Sequence, residues 1–233
     1  MKITILSLFP QIFDYLLHYS ILQKAQSKKL LQLEFIDIRK FSSDKYSSVD
    51  GHPYGGGLGM IMRVDTIDKS IAYAKNRSPK TPNQKLRRKV VLLDPRGNIL
   101  NQKKAWQYSR LDHLIIICGH YEGVDERVLS LVDETVSVGD YILTGGEIPA
   151  MIITDAVTRL IPGVLKNKLA VTDESFDPKS SLLSYPQYTE PRLYKKMPVP
   201  PILLSGNHNK IKIWREHQAL KTTKNKRPDL LRK

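Results

Sequence analysis

The amino-acid sequence predicts an α/β fold built around a parallel β-sheet. Three apolar runs, at residues 90–93, 114–118 and 136–138, each end in a turn that contains glycine. Runs that are apolar at nearly every position are typical of strands covered by helices on both faces, as in parallel sheets. With 233 residues, of which 41% are hydrophobic, the chain is long enough to close such a core.

The elements before these strands alternate between strand and helix. Residues 3–9 form a short apolar run that Pro10 ends, and residues 12–31 carry apolar side chains at helical spacing. Residues 33–38 predict a second strand. The segment from Tyr54 to Met60 contains four glycines, too many for a regular element, and we expect a functional loop there.

The later elements complete a first domain and begin a second. Residues 66–75 have a helical pattern, and a helix with Pro149 in its first turn follows the third buried strand, with Pro162 and Gly163 at its end. We predict a domain at residues 1–165, a flexible linker at 166–177 and a small, mainly helical domain at 178–233. The last helix of that domain is expected to begin near Asn209.

Composition and spacing exclude several classes of protein. No apolar run reaches the roughly 18–20 residues of a membrane-spanning helix, and residues 1–10 show no signal-peptide cleavage site, so we expect a cytosolic protein. The single cysteine, Cys118, forbids an internal disulfide, and six scattered histidines give no zinc-site spacing, so no metal ligands are predicted. No glycine-rich segment has the spacing of a Walker loop or a dinucleotide-binding loop.

The charge balance indicates a polyanionic partner. The chain has 37 basic and 23 acidic residues and a net charge of +14. From Lys166 to the carboxyl terminus it carries 15 basic and 6 acidic residues, so most of the excess lies in the last third, and a second basic cluster lies between Lys75 and Lys89. A solubilising surface without a specific partner is the alternative, because net charge concerns association and not fold.

The turns that end the three buried strands form a candidate ligand site. Ligands of open α/β sheets bind at the carboxyl ends of the strands. Glycine backbones can approach a flat heterocycle and satisfy its edge with main-chain N–H and C=O groups, and Tyr121 and Tyr141 could wall such a pocket. The alternative for each single loop is that its glycine only supplies a turn with positive φ.

Six segments together resemble the bacterial tRNA (guanine-N1)-methyltransferase family. They are residues 54–60, 93–97, 118–127, 138–149, 159–165 and 200–208, the last followed by Trp214-Arg215. The similarity extends from Ser7-Leu8-Phe9-Pro10 to Arg227-Pro228-Asp229-Leu230-Leu231. Each motif alone is weak, whereas their joint order is highly specific.

The resemblance implies a SPOUT-class methyltransferase, an α/β fold whose parallel sheet contains a deep trefoil knot that holds S-adenosylmethionine. It implies a homodimer in which each active site combines one subunit's knot with the other subunit's carboxyl-terminal domain. The implied substrate is the tRNA anticodon stem-loop, methylated on N1 of the guanine directly 3′ of the anticodon, at position 37 of the tRNA. The family also suggests Mg²⁺ as an assisting ion, and neither DNA nor a membrane is an expected partner.

The implied reaction requires a general base. Guanine N1 carries a proton, and a cation near O6 stabilises the charge that develops when this proton leaves. The resemblance places the base at Glu174 in the linker and the cation at Arg159. The family usually has aspartate where Glu174 stands, and one added methylene moves the carboxylate by about a bond length, so Asp173 is a second candidate. In the alternative, the two acids are only solvated and Arg159 pairs with Asp155 on its own helix.

The same comparison, made residue by residue, assigns the remaining site residues. The implied cofactor residues are Pro95, Gly119, Tyr121, Glu122, Val138, Gly139, Asp140, Tyr141, Ile142, Leu143, Gly145 and Gly146. The implied residues that approach the target base are Tyr54, Gly55, Gly56, Gly57 and Gly59. Lys210, Lys212 and Arg215 fit contacts to RNA phosphates by their charge, and the alternative for each one is a solvated surface charge. Glu122 has the alternative role of an acid that caps a helix at residues 124–131. Leu58 stands where the family often has proline, and Glu190 where it usually has arginine, so one RNA contact is expected to be absent there.

Two other functions share parts of the pattern. A knotted ribose 2′-O-methyltransferase would have the same cofactor loops but would attack a hydroxyl group, and the carboxyl-terminal pattern argues against it. A non-catalytic RNA-binding or ribosome-assembly factor would have the same basic surfaces. Saturable binding of S-adenosylmethionine separates an enzyme from such a factor.

Overall fold

The computed structural model describes residues 1–79, 85–166, 174–177 and 180–231. The chain divides into two compact units, Met1–Lys166 and Asn167–Lys233. The buried strands and their glycine turns belong to the first unit, whereas most of the basic excess belongs to the second.

A five-stranded parallel sheet forms the centre of the first unit. The strands of this unit are β1 (Lys2–Ser7), β2 (Gln32–Asp37), β3 (Asp50–Gly51), β4 (Ile61–Met62), β5 (Arg88–Ile99), β6 (His113–Cys118) and β7 (Glu134–Ser137). The large sheet has the order β2-β1-β6-β5-β7, and all its pairings are parallel. The predicted α/β class with a parallel sheet is therefore confirmed.

Strands β1 and β6 lie side by side near the middle of the sheet and are buried along their whole length. Successive side chains of a strand point to opposite faces, so full burial requires a cover on both sides. On one face, Leu6, Leu92, Ile115 and Ile117 join Ile67 and neighbouring residues in one hydrophobic cluster. This two-sided burial explains why the predicted strands are apolar at nearly every position.

The helices of the first unit match the sequence prediction in part. They are α1 (Asp14–His18), α2 (Ser20–Ser27), α3 (Val64–Asn76), α4 (Gln102–Ser109) and α5 (Glu147–Thr158). The helix predicted at residues 66–75 lies within α3, and the one with Pro149 in its first turn is α5. The single helix predicted at residues 12–31 is wrong, because the backbone is extended at Tyr19 (φ −84°, ψ 116°) and separates α1 from α2.

The turn predicted after the first buried run, at residues 94–97, is also wrong. Strand β5 continues through it to Ile99, and its pairing with β7 shifts register between Leu93 and Asn98, so the segment forms a bulge. A Cβ at Gly97 would lie 2.4 Å from the amide nitrogen of Val136. Glycine is therefore required here for the close approach of β7, and not for a chain reversal.

The glycine loop, residues 52–60, connects the short antiparallel strands β3 and β4. Met62, at the end of β4, forms a parallel bridge with Val124, and its amide donates to the carbonyl of Gly123 at 2.9 Å. These bonds place the base of the glycine loop beside the turn that follows β6.

The second unit contains a short hairpin and a long helix. The hairpin pairs β8 (Leu193–Tyr194) with β9 (Met197–Pro198), a 3₁₀ helix follows at Pro201–Leu204, and α6 spans His208–Lys226. The side chain of Asn207 caps α6 by accepting from the amide of Lys210 at 3.1 Å. On the inner side, Thr223 accepts a hydrogen bond from the amide of Leu183 at 2.9 Å. None of the helices in the described ranges has the length and apolar character needed to cross a membrane.

Candidate functional site

A cavity of about 590 Å³ lies at the carboxyl ends of β5, β6 and β7. Its walls come from the β5 bulge, the turn at residues 119–124 and the loop at residues 136–146. The volume lies within the roughly 300–1,000 Å³ of typical small-molecule pockets, and the location is where open α/β sheets bind ligands.

Most of the predicted cofactor residues line this cavity. They are Pro95, Gly119, Tyr121, Glu122, Val138, Gly139, Tyr141, Ile142, Leu143, Gly145 and Gly146. Asp140 belongs to the same loop but is not part of the lining. The fold thus brings residues from three separate segments of the sequence into one concave site.

Gly119 and Gly146 hold the turn after β6 against the segment that precedes α5. The amide of Gly146 donates to the carbonyl of Gly119 at 2.8 Å, and His120 and Gly145 form an antiparallel bridge. A Cβ at Gly146 would lie 2.6 Å from the Cα of Cys118, closer than any side chain can approach. The main chains therefore touch directly, which leaves the cavity walls rich in backbone groups.

The loop at residues 137–141 turns tightly beside the cavity. Gly139 has a φ of 153°, and a Cβ there would lie 2.5 Å from the ring of Tyr141. The hydroxyl of Tyr141 donates to the carbonyl of Val138 at 3.3 Å, while Ser137 exchanges hydrogen bonds with Gly139. These contacts hold a half-exposed aromatic ring as one wall of the cavity.

Tyr121 supplies a second aromatic wall and has an unusual backbone. Its φ is 58°, a left-handed value that is uncommon for a residue other than glycine. Burial raises the pKa of its hydroxyl above the ordinary value, and the hydrogen-bonded carboxylate of Asp50 adds to this effect against the opposing charge of Arg39. The phenol therefore stays protonated at neutral pH.

A buried polar cluster lies behind the cavity, and the sequence analysis missed it. Glu147, the first residue of α5, is buried, and its Oε1 accepts from the hydroxyl of Ser7 at 2.7 Å. Its Oε2 lies 4.0 Å from Nδ1 of His120, a cavity-lining residue whose ring packs edge to face against Phe9. Within the described residues, Nδ1 of His120 is buried without a hydrogen-bond partner. Ser7 and Glu147 are too far apart in sequence for spacing to suggest their contact.

Cys118 lies in an environment typical of an inert, structural cysteine. It is fully buried, and burial together with the nearby charge of Glu147 raises the pKa of its thiol well above the ordinary value. Since the thiolate and not the thiol is nucleophilic, this environment does not favour a covalent cysteine intermediate.

An ion-pair cluster at the β5 bulge also lines the cavity and was not predicted. Arg96 donates to both oxygens of Asp94 and to Glu126 at 3.0 Å. The guanidinium of Arg96 holds the pKa of Asp94 below its ordinary value. The cluster connects the bulge to the 3₁₀ helix Glu126–Leu131. The acid that caps this helix is Asp125, so the alternative role of Glu122 as its capping acid is wrong.

The last glycine of the glycine loop, Gly59, does not line the cavity but lies against Glu122, which does. A Cβ at Gly59 would lie 2.6 Å from Cγ of Glu122, and the amide of Glu122 donates to the carbonyl of Met60 at 3.1 Å. Gly55, Gly56 and Gly57 have positive φ values and, with the fully exposed Tyr54, do not line the cavity. The side chain of Leu58 is also exposed.

Of the predicted catalytic residues, Arg159 belongs to the same unit as the cavity but does not line it. Arg159 directly follows α5, Glu174 belongs to the second unit, and Asp173 lies outside the described residues. Lys210, Lys212 and Arg215 are exposed on α6. Across the described ranges, no group of three or more histidine, cysteine or acidic side chains is arranged to hold a metal ion.

Comparisons with known proteins match this chain to a single family. The family model described as tRNA (Guanine-1)-methyltransferase TrmD matches residues 1–233. A tRNA (guanine-N(1)-)-methyltransferase of Dictyoglomus turgidum is 48% identical over 233 residues, which cover 100% of this chain and 91% of the relative. A tRNA (guanine-N(1)-)-methyltransferase of Carboxydothermus hydrogenoformans is 50% identical over 234 residues, which cover 100% of this chain and 88% of that relative.

Proposed function

The chain belongs to the tRNA (guanine-N1)-methyltransferase family, and we propose that it transfers the methyl group of S-adenosylmethionine to N1 of the guanine directly 3′ of the tRNA anticodon. The observation that carries the proposal is the cavity at the ends of β5, β6 and β7, which the loops typical of the family enclose. The proposed substrate also places the reaction in the cytosol.

The residues of the cavity fit S-adenosylmethionine. Gly119 and Gly146 bring main chain without side chains to the cavity wall, so a flat ring such as adenine can approach closely, and Tyr121 and Tyr141 offer flat apolar walls. The buried Nδ1 of His120 is a further polar group at the wall, and Glu122 adds a carboxylate that suits the positive charge of the ligand. When bound, S-adenosylmethionine supplies an electrophilic methyl group on a positively charged sulfur.

A trefoil knot is part of the proposal. The segment that contains Gly145 and Gly146 packs directly against the end of β6, with a backbone bond to Gly119 and a bridge at His120. Such close contact between a late loop and an earlier strand end supports the knotted arrangement that the family membership implies.

Proton removal is assigned to Glu174. Its carboxylate accepts the N1 proton of guanine, and the guanidinium of Arg159 stabilises the negative charge that moves to O6. The assignment is supported by the match of both positions to the family pattern and by the chemistry of guanine, which is a poor nucleophile while N1 is protonated. Asp173 remains the alternative base.

A homodimer is proposed because Arg159 is not among the residues that line the cavity of its own chain. Helix α5 contributes Pro149 to the cavity wall, and the ten residues from Pro149 to Arg159 correspond to a rise of about 15 Å. Ile148 and Ile152 of α5 are exposed, as are Tyr15 and Tyr19 of the neighbouring amino-terminal segment. A second copy packed on this apolar surface buries these side chains and can supply the arginine.

The carboxyl-terminal domain, residues 178–233, is proposed to bind the tRNA. Lys210, Lys212 and Arg215 are exposed on α6 in the part of the chain with the largest basic excess. Exposed lysine and arginine side chains pair with RNA phosphates and release counterions on binding.

Two measurements test the proposal. Calorimetry should show saturable binding of S-adenosylmethionine, and nucleoside mapping of a methylated anticodon stem-loop should show 1-methylguanosine 3′ of the anticodon. A matched stem-loop with adenosine at that position should gain no methyl group. A 2′-O-methylated product would indicate a ribose methyltransferase, and RNA binding without cofactor binding would indicate a non-catalytic factor.

A further inference from the structure

A second groove, of about 400 Å³, lies within the second unit and is separate from the cofactor cavity. Its walls come from the extended segment at residues 185–192, from the 3₁₀ helix Pro201–Leu204 and from α6. Leu203 and Ile211 contribute apolar surface, so the groove combines an apolar part with a polar one.

The aromatic and cationic side chains of the groove suit an unstacked nucleobase. The guanidinium carbon of Arg215 lies 4.7 Å from the ring centroid of Tyr185, and Tyr188 also lines the groove. Proteins that bind single-stranded RNA stack its splayed bases on aromatic rings and on arginine planes. Arg192 adds a second cation, which suits the phosphate of the same nucleotide.

Glu190 is the acidic residue among those that line the groove. A carboxylate accepts hydrogen bonds only, so Glu190 suits a base edge that presents donors. Guanine presents two adjacent donors, N1–H and the N2 amino group, which match the two oxygens of a carboxylate. Adenine presents one amino donor beside an acceptor, which a carboxylate repels.

We propose that this groove binds an unpaired guanosine of the RNA substrate, with the base stacked near Tyr185 and Tyr188 and its Watson–Crick edge on Glu190. The inference rests on the proposed function only in taking RNA as the substrate, and the bound guanosine is a different nucleotide from the methylated one. The glutamate at position 190 then adds a base contact instead of removing an RNA contact.

Binding of short RNAs to the full chain tests the proposal. The probes are single-stranded oligouridylates with one central guanosine or one central adenosine, and the preference is the ratio of their dissociation constants. Glu190→Gln should reduce the guanosine preference by about tenfold, since one of the two acceptor oxygens becomes an amino group, which cannot accept from a guanine donor. The matched control is Glu216→Gln, which removes the same charge from an exposed position of α6 outside the groove.

The direction of the effect distinguishes recognition from a change in net charge or in folding. Loss of one negative charge strengthens binding to any RNA, so Glu216→Gln should tighten both probes equally. Glu190→Gln should tighten the adenosine probe and weaken the guanosine probe, and an unfolded variant cannot do both. An unchanged guanosine preference in Glu190→Gln overturns the proposal.

Crosslinking locates the bound base. A 6-thioguanosine in the guanosine probe should crosslink to the peptide that contains Tyr185 and Tyr188, and crosslinks confined to the first unit overturn the assignment. Methylation of the anticodon stem-loop by the unmodified chain is measured separately. Methylation without a guanosine preference at the groove leaves the proposed function standing and rejects only this inference.

Discussion

The amide of Gly146 and the carbonyl of Gly119 are joined by a hydrogen bond of 2.8 Å, which ties the start of α5 to the turn after β6. Both glycines line the cofactor cavity, and neither contributes a side chain to it. The shape of this wall therefore depends on the direct contact between two main chains, and a single added methyl group should disturb it.

We expect Gly146→Ala to weaken both cofactor binding and folding. Its Cβ would lie 2.6 Å from the Cα of Cys118, so the two main chains must move apart. The free energy of unfolding should fall by about 1–3 kcal/mol, as in other overpacked sites, and the affinity for S-adenosylmethionine should fall at least about tenfold. Urea unfolding and calorimetry measure the two effects.

The control for this change is Gly51→Ala. A Cβ at Gly51 meets no atom within 4 Å, so the free energy of unfolding of Gly51→Ala should stay within about 0.5 kcal/mol of that of the original chain. Cofactor binding by Gly146→Ala at the original affinity would show that the contact does not shape the site.

We expect Glu174→Gln to lose turnover while it keeps cofactor affinity. Loss of a general base should slow single-turnover methylation by about 10²- to 10⁴-fold, and Glu174→Asp should restore part of the rate. Asp173→Asn is the matched control and should stay active. If Asp173→Asn is the inactive variant and Glu174→Gln the active one, the base has been assigned to the wrong residue.

Affinity for tRNA should fall steeply as the salt concentration rises. A plot of log K against log [salt] has a slope that grows with the number of phosphates contacted, so Lys210→Ala and Lys212→Ala should each reduce it by about 0.7–0.9. Lys69→Ala, at an exposed position of α3, serves as the control and should leave the slope unchanged. Affinity that does not vary with salt would contradict the electrostatic role of α6.

The stability of the chain should depend on His113 between pH 6.5 and about pH 4. Burial, reinforced by the charges of Lys2 and Arg88 against that of Glu34, lowers the pKa of His113 from 6.5 to about 4. Between these pH values the imidazole of His113 is protonated in the unfolded chain but not in the folded chain. The contribution of neutral His113 to the free energy of unfolding is therefore complete above pH 6.5 and is lost as the pH falls toward 4.

The variant His113→Gln provides the comparison. The neutral imidazole lies 2.8 Å from the hydroxyls of both Thr4 and Ser78, and glutamine can still form hydrogen bonds without titrating. Urea unfolding at a series of pH values should show the added slope only in the original chain. An imidazole that titrates near 6.5 in the folded chain, followed by NMR, would refute the expectation.

Local patterns in the sequence were sufficient to predict some features of the fold. Residues 114–118 are apolar at every position because β6 is covered on both faces, and this signal is local. The bulge after Leu93 was predicted as a turn, because a proline-glycine segment favours both and only the pairing with β7 decides between them. Similarly, apolar spacing continues across Tyr19 and favours one helix, although Ser20 and Gln23 have the S-x-x-Q spacing of a helix start, where the structure begins α2.

In the candidate site, too, local features could be predicted from the sequence, whereas contacts between distant residues could not. The glycine turns after β6 and β7 were visible in the sequence, because glycine at a strand end is a local signal. The contact between Ser7 and Glu147 spans 140 positions and follows from strand order, which hydrophobic patterns do not encode. His120 was part of a recognised motif, yet only the fold shows that its ring faces this buried carboxylate.

The position of β1 between β2 and β6 constrains the order in which a newly synthesised chain can fold. The residue pair Thr4 and His113 is separated by 109 positions, so one edge of β1 stays unpaired until the ribosome has added β6. Long-range pairing of this kind slows folding, and an open strand edge invites pairing with other chains. Translation speed and chaperone supply should therefore influence the yield of native protein more than they would for a helical bundle of equal length.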